Sequence, residues 1–209
     1  MSGRFHSLFV NALTFSRVPL IFAWAACAVT AHFRGSVPVA VAACVFMFLA
    51  GISDLYDGKL ARRWKVVSTF GKLADPLMDK VFFIVSFPTL LWMIGVQGDN
   101  VAHGVLMLAF TVLYILRDQW VTFLRAVASS YHADVSAMWL GKVRTALSFP
   151  AAGLIYLYLA FHHMVPPSVD RWSLCAVYVV EGGLILLNVY SCVVYTRAYW
   201  QYLRRALKD

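Results

Sequence analysis

Residues 54–79 read DLYDGKLARRWKVVSTFGKLADPLMD, a charged interruption in a chain that is otherwise apolar. Residues 37–53 before it and 81–98 after it contain no Asp, Glu, Lys or Arg. The stretch therefore reads as the turn and the inner ends of two membrane-crossing helices. Four of the chain's ten acidic residues fall inside it, in the pattern D-x2-D-G-x2-A-R-x8-G-x3-D-x3-D.

Working outward, the 209 residues are 61% hydrophobic and 13% charged, with a mean hydropathy of +0.71. A soluble domain carries roughly 25% charged residues, so this composition excludes one. Six apolar runs stand out, at 18–33, 37–53, 81–98, 100–116, 145–169 and 172–196, and only the last holds an acid, Glu181. A helix crosses the hydrocarbon core with about 20 residues, and these runs reach that length with their interfacial ends. The expectation is an all-α integral membrane protein, a bundle of six transmembrane helices forming one domain over residues 1–209. Residues 1–9 are expected to form an amphipathic helix on the membrane surface. Arg17 interrupts the first apolar run, so a cleavable signal peptide is not expected.

With both termini cytoplasmic, every Lys and Arg except Arg34 and Arg171 falls at or near the cytoplasmic face, as the positive-inside rule requires. The expected location is the cell (inner) membrane, multi-pass, with the charged segment facing the cytoplasm. The net charge of +8 then forms a belt against anionic lipid, with no nucleic-acid partner implied. Cys27, Cys44, Cys175 and Cys192 stand singly within apolar runs and read as packing residues. Turns are expected at Gly35-Ser36, Gly98-Asp99-Asn100 and Pro166-Pro167-Ser168.

Asp54 and Asp57, at i and i+3, share one helix face; Gly71, Asp75 and Asp79 make a stripe along the next helix. Four carboxylates brought together at a membrane surface repel one another unless some protonate or cations bind. Hard oxygen donors without His or Cys suit Mg²⁺ or Mn²⁺. Two such ions are an established device for phosphoryl transfer. Gly58 and Ala61 would let a ligand approach the backbone, and Arg62 can fork onto a phosphate. The plain alternative is that the acids solvate helix ends and pair with Lys59, Arg63 and Lys72. A cation transporter would instead spread its acids across membrane depth, whereas these cluster at one face.

This segment resembles the signature of the CDP-alcohol phosphatidyltransferases, six-helix membrane enzymes that displace CMP from a CDP-linked lipid with an alcohol acceptor. The resemblance implies that Asp54, Asp57, Asp75 and Asp79 hold two metal ions and that Asp79 takes the acceptor proton. It implies that Asp54, Gly58, Ala61, Arg62 and Gly71 line the CDP site. It also implies CDP-diacylglycerol as a substrate, a membrane-lipid environment and a homodimer.

Further segments are similar to the phosphatidylglycerophosphate synthases of that family, whose acceptor is glycerol 3-phosphate. They are NALTFSRVPL (11–20), LADPLMDK (73–80), RDQWVTFLRAVAS (117–129) and WLGKVRTALS (139–148). Asp118, Arg144 and Ser148 stand where that subgroup usually has Glu, Lys and Gln. Arg117-Asp118 also resembles the cardiolipin synthases, which use phosphatidylglycerol. An anionic acceptor needs cations, and Arg117, Arg125, Lys142 and Arg144 are the candidates for its phosphate. Lys142 and Arg144, two positions apart, do not share a helical face, so one of them can meet lipid headgroups instead. Asn11, Thr14 and Arg17 are placed either to reach the nucleotide or acceptor, or to anchor the first helix. Glu181 is expected to pair within the bundle.

Overall fold

The computed structural model describes residues 2–66, 69–98, 100–133 and 139–208, with the backbone alone at 2–4, 69, 70, 72, 73 and 75. Its elements are α1 (Ser2–Arg34), α2 (Val37–Arg63), α3 (Thr69–Gln97), α4 (Val101–Ser130), α5 (Trp139–Phe161), a single 3-10 turn (His162–Met164) and α6 (Pro167–Ala206). All six α-helices are long and apolar enough to cross a membrane, so this is a multi-pass membrane protein.

Sequence legislates the turns. Gly35 and Gly98 adopt φ of +59° and +69°, a region where a side chain would strain the backbone. Asn100 caps α4 by accepting a hydrogen bond from the His103 amide at 3.0 Å. Pro167 opens α6 at a position where its missing N–H costs nothing.

The helices outrun the charge-free runs. At 1.5 Å per residue the 40 residues of α6 span about 60 Å, against a hydrocarbon core of about 30 Å. Absence of charge marks the hydrocarbon, while helical hydrogen bonding continues past it. Arg17, Asp54, Asp57, Arg117 and Arg125 consequently lie within helices rather than beyond their ends. The expected surface helix at 1–9 is likewise not a separate element. It forms the first turns of α1, with His6 stacked on Trp64 at 4.4 Å and Phe9 edge-on to the same indole at 6.0 Å. The fifth run also ends earlier than its apolarity indicated, because Pro166 and Pro167 start a new helix.

The chain divides into two compact units, Met1–Val96 with Ala152–Val165, and Gln97–Ala151 with Pro166–Asp209. In the first, α2 buries Ala40, Ala43, Met47, Ala50, Ser53 and Asp57, a single stripe of mostly small side chains. Small residues let membrane helices approach closely where no hydrophobic force drives them together. Trp24 of α1 is fully buried and meets Tyr156 edge-to-face at 5.5 Å, and the Tyr156 hydroxyl donates to the Ala40 carbonyl at 3.2 Å. The packing stripe of α2 thus runs without a break into an aspartate.

In the second unit α4 and α6 run parallel. Asn100 bonds Tyr178, Arg117 bonds Ser191, and Tyr131 stacks on Tyr202, so contacts advance along both helices together. Buried positions on α6 are Val177, Glu181, Leu184, Asn188, Ser191, Tyr195 and Tyr199. Glu181 pairs with His103 of α4 at 3.0 Å, the partner within the bundle that its position called for.

Candidate active site

Helical spacing puts Asp54 and Asp57 on one face of α2, and α3 brings Asp79. What joins them is Arg17, which α1 inserts at only 4% exposure. Its Nη1 donates to Asp54 Oδ1 at 2.5 Å and to Asp79 Oδ1 at 3.2 Å, and its Nη2 donates to Asp57 Oδ2 at 2.7 Å. Thr14, one turn earlier, donates its hydroxyl to the same Asp57 oxygen at 2.9 Å. The other Asp57 oxygen accepts from the Gly58 amide. Asp57 is buried, whereas Asp54 and Asp79 stay 44% and 39% exposed at their side chains and so remain open to a ligand.

Of the alternatives left open for Thr14 and Arg17, the structure places both on the carboxylates. Asp54 and Asp57 find their cation on α1, not in Lys59 or Arg63. Sequence spacing shows which residues share a face, but not that a third helix delivers a counter-charge from forty positions away. The side chain of Asp75 lies outside the described residues.

Gly58 and Ala61 are half-buried on α2 next to the aspartates. A Cβ built on Gly58 would lie 3.6 Å from Arg62 Nη1, so the Arg62 guanidinium folds back over this glycine. Arg62 itself is exposed, and Gly71 is half-buried on α3. Beside them, a groove of about 460 Å³ runs between α1 and α2, lined by Leu13, Leu20, Leu49, Ile52, Ser53 and Tyr56, among others.

The donor set fits a hard divalent cation: its atoms are all carboxylate oxygens, and three of these groups already converge on one cationic group. Among the described residues, no three acid, His or Cys side chains are gathered closely enough to hold an ion between them. The guanidinium stands among the carboxylates.

In the second unit, three of the four proposed acceptor cations come together. Arg144, at 4% exposure, donates to Asn188 Oδ1 at 3.1 Å and Asp118 Oδ1 at 3.2 Å, with its guanidinium 4.1 Å from the centre of the Tyr114 ring. Arg117 donates to Ser191 from Nε at 3.0 Å. Arg117 and Arg125 lie 4.9 and 5.3 Å from the centre of the Tyr195 ring, and Arg125 donates to its hydroxyl at 3.1 Å. Lys142 is exposed and stands apart from this group, as two positions of helical rotation from buried Arg144 dictate.

Arg117 and Arg144 share the carboxylate of Asp118, at 4.0 and 3.2 Å, and with Arg125 nearby on Tyr195 the cluster carries more positive than negative charge among the described residues. The Nε atoms of Arg125 and Arg144 are buried and find no hydrogen-bond partner among the described residues. Buried donors without partners are costly, and an anion would satisfy them.

Asn188, Ser191 and Tyr195 of α6 hold these arginines, and sequence reading did not single them out. Their signal was a polar stripe at intervals of three and four residues in an otherwise apolar run. Gly141 serves the same cluster, since a Cβ there would come within 2.8 Å of the Tyr195 hydroxyl.

Comparison with known proteins places the chain in a family. The CDP-alcohol phosphatidyltransferase profile matches residues 8–197. A CDP-diacylglycerol–glycerol-3-phosphate 3-phosphatidyltransferase of Bacillus subtilis is 34% identical over 70% of this chain and 73% of its own length. The Mycoplasma genitalium protein of the same name is 36% identical over 53% of this chain, and the match spans only 42% of that longer protein. A CMP-forming cardiolipin synthase of Streptomyces coelicolor is 42% identical over 24% of this chain and 23% of its own. Because the match covers nine-tenths of the residues and takes in both the aspartates and the arginine cluster, the chain belongs to the CDP-alcohol phosphatidyltransferase family.

Proposed function

We propose that this protein transfers the phosphatidyl group of CDP-diacylglycerol to glycerol 3-phosphate, giving phosphatidylglycerophosphate and CMP in phospholipid biosynthesis. The observation that carries the reading is the convergence of Asp54, Asp57 and Asp79 on one buried cationic group. The relatives named for this reaction support the acceptor.

Asp54, Asp57, Asp75 and Asp79 would hold two Mg²⁺ or Mn²⁺ ions, which would neutralise the pyrophosphate and the charge on departing CMP. Gly58, Ala61 and Gly71 leave room for the nucleotide against the helix backbones, and Arg62 forks onto a phosphate. The groove between α1 and α2 is lined mainly by apolar side chains, which suits an acyl chain. The acceptor's 1-hydroxyl oxygen attacks the phosphorus bearing diacylglycerol, its proton passes to Asp79, and the phosphorus–oxygen bond to CMP breaks. Orientation and fixed charge supply most of the acceleration. Arg117, Arg125 and Arg144 bind the acceptor phosphate, and exposed Lys142 meets lipid headgroups.

Positive-inside charge supports a cytoplasmic-facing site, both termini on that side, and residence in the cell (inner) membrane. The whole chain acts as a single catalytic domain, and a homodimer is its proposed assembly. A second reading, phosphatidylglycerol as acceptor, draws on Arg117-Asp118 and on the cardiolipin synthase match. Purified protein given CDP-diacylglycerol and Mg²⁺ separates the two. CMP release with glycerol 3-phosphate and none with phosphatidylglycerol is expected; the reverse selects the second reading.

A further inference from the structure

We propose that Arg17 is a resident counter-cation of the aspartate site, occupying it in the metal-free protein and giving it up when divalent ions load. The inference rests on the two-metal reading above and concerns what the site does before the metals arrive.

Arg17 is sunk to 4% exposure and reaches three carboxylates on two other helices with two nitrogens. It uses the oxygens an ion would need. Asp57 Oδ2 already accepts from both Arg17 and Thr14, which fills its two lone-pair directions, and Asp57 Oδ1 takes the Gly58 amide. Mg²⁺ requires its oxygens at about 2.0–2.1 Å in near-octahedral array, and a guanidinium hydrogen-bonded to the same atoms blocks that approach.

Charge leads to the same exclusion. Four aspartates and two divalent ions are formally neutral together, so a guanidinium kept among them would add a surplus positive charge in contact with two dications. Without metal the situation inverts, because the carboxylates repel one another and a half-buried group of them needs a cation to persist. One arginine cannot satisfy both states from one position. The guanidinium therefore holds the aspartates together during folding and insertion, and metal ions compete with it for them.

Competition makes a prediction opposite to that of a simple scaffold. If the guanidinium fills the site nine-tenths of the time, the apparent dissociation constant for metal is raised about tenfold over its intrinsic value. Removing the competitor should tighten binding, even though a buried contact has been lost. The test is Mn²⁺ titration of the purified full-length chain, followed by electron paramagnetic resonance, in wild type, Arg17→Gln and Arg17→Lys. Arg17→Gln is expected to bind Mn²⁺ about tenfold more tightly, and its thermal midpoint to rise more on adding Mg²⁺ than that of wild type. Arg17→Lys keeps a charge but cannot fork across three carboxylates, so it should also bind more tightly than wild type, and it decides the matter alone if the Gln variant does not fold. Equal or weaker Mn²⁺ binding in the variants overturns the exchange while leaving the metal reading intact. No Mn²⁺ bound by any of the three proteins overturns both.

Discussion

The Tyr195 hydroxyl lies 2.8 Å from the point where Gly141 would carry its Cβ. Tyr195 is fully buried, bonds Arg125 and spreads its ring beside Arg117, so it has little room to retreat. In Gly141→Ala two effects compete. Removing a helical glycine stabilises by up to about 1 kcal/mol, while forcing a buried ring aside costs about 1–3 kcal/mol. The second should win. Thermal unfolding in detergent is expected to drop modestly, and the KM for glycerol 3-phosphate to rise several-fold with that for CDP-diacylglycerol unchanged.

Tyr195→Phe isolates the hydroxyl. It removes the 3.1 Å bond to Arg125 and keeps the ring that both arginines face. A neutral-to-charged hydrogen bond contributes about 1.5–3 kcal/mol at most. The expected result is a raised KM for glycerol 3-phosphate at near-normal kcat, measured in steady-state assays; equal effects on both substrates would place Tyr195 outside the acceptor site.

Arg144 and Lys142 sit two residues apart and should behave very differently. Arg144→Ala strips partners from Asn188 and Asp118 and opens space beside Tyr114, so both stability and acceptor affinity should fall. Lys142→Ala, on an exposed side chain, should leave both within about 0.5 kcal/mol. Parallel melting curves and acceptor titrations compare them directly.

His103 and Glu181 form a buried ion-capable pair at the other end of α4 and α6. His103→Leu leaves Glu181 buried without its partner and should cost about 3–5 kcal/mol, while His103→Leu with Glu181→Leu should recover most of that loss. Activity per folded molecule should be unchanged in both, since neither residue belongs to the proposed chemistry.

Much of this was readable from the residues, for identifiable reasons. Charge-free length reveals a membrane span directly, because a bilayer tolerates few alternatives to apolar helices. Helical spacing then showed that Asp54 and Asp57 share a face. Helix ends were less legible, because apolarity tracks the hydrocarbon and not the hydrogen bonding, and α4 runs on past Arg117 and Arg125. Pairings across helices were least legible. Nothing local to Arg17 shows that it meets Asp57, and nothing local to Gly141 shows that Tyr195 crosses it. Such contacts are set by the packing of separate elements.

The aspartate site is the centre of the account, and release of CMP tests it most directly. Purified protein with CDP-diacylglycerol, glycerol 3-phosphate and Mg²⁺ should release CMP, EDTA should stop it, and Asp79→Asn should lose at least about 100-fold in kcat with its fold intact. CMP release that persists undiminished in EDTA, or in folded Asp79→Asn protein, would contradict the account.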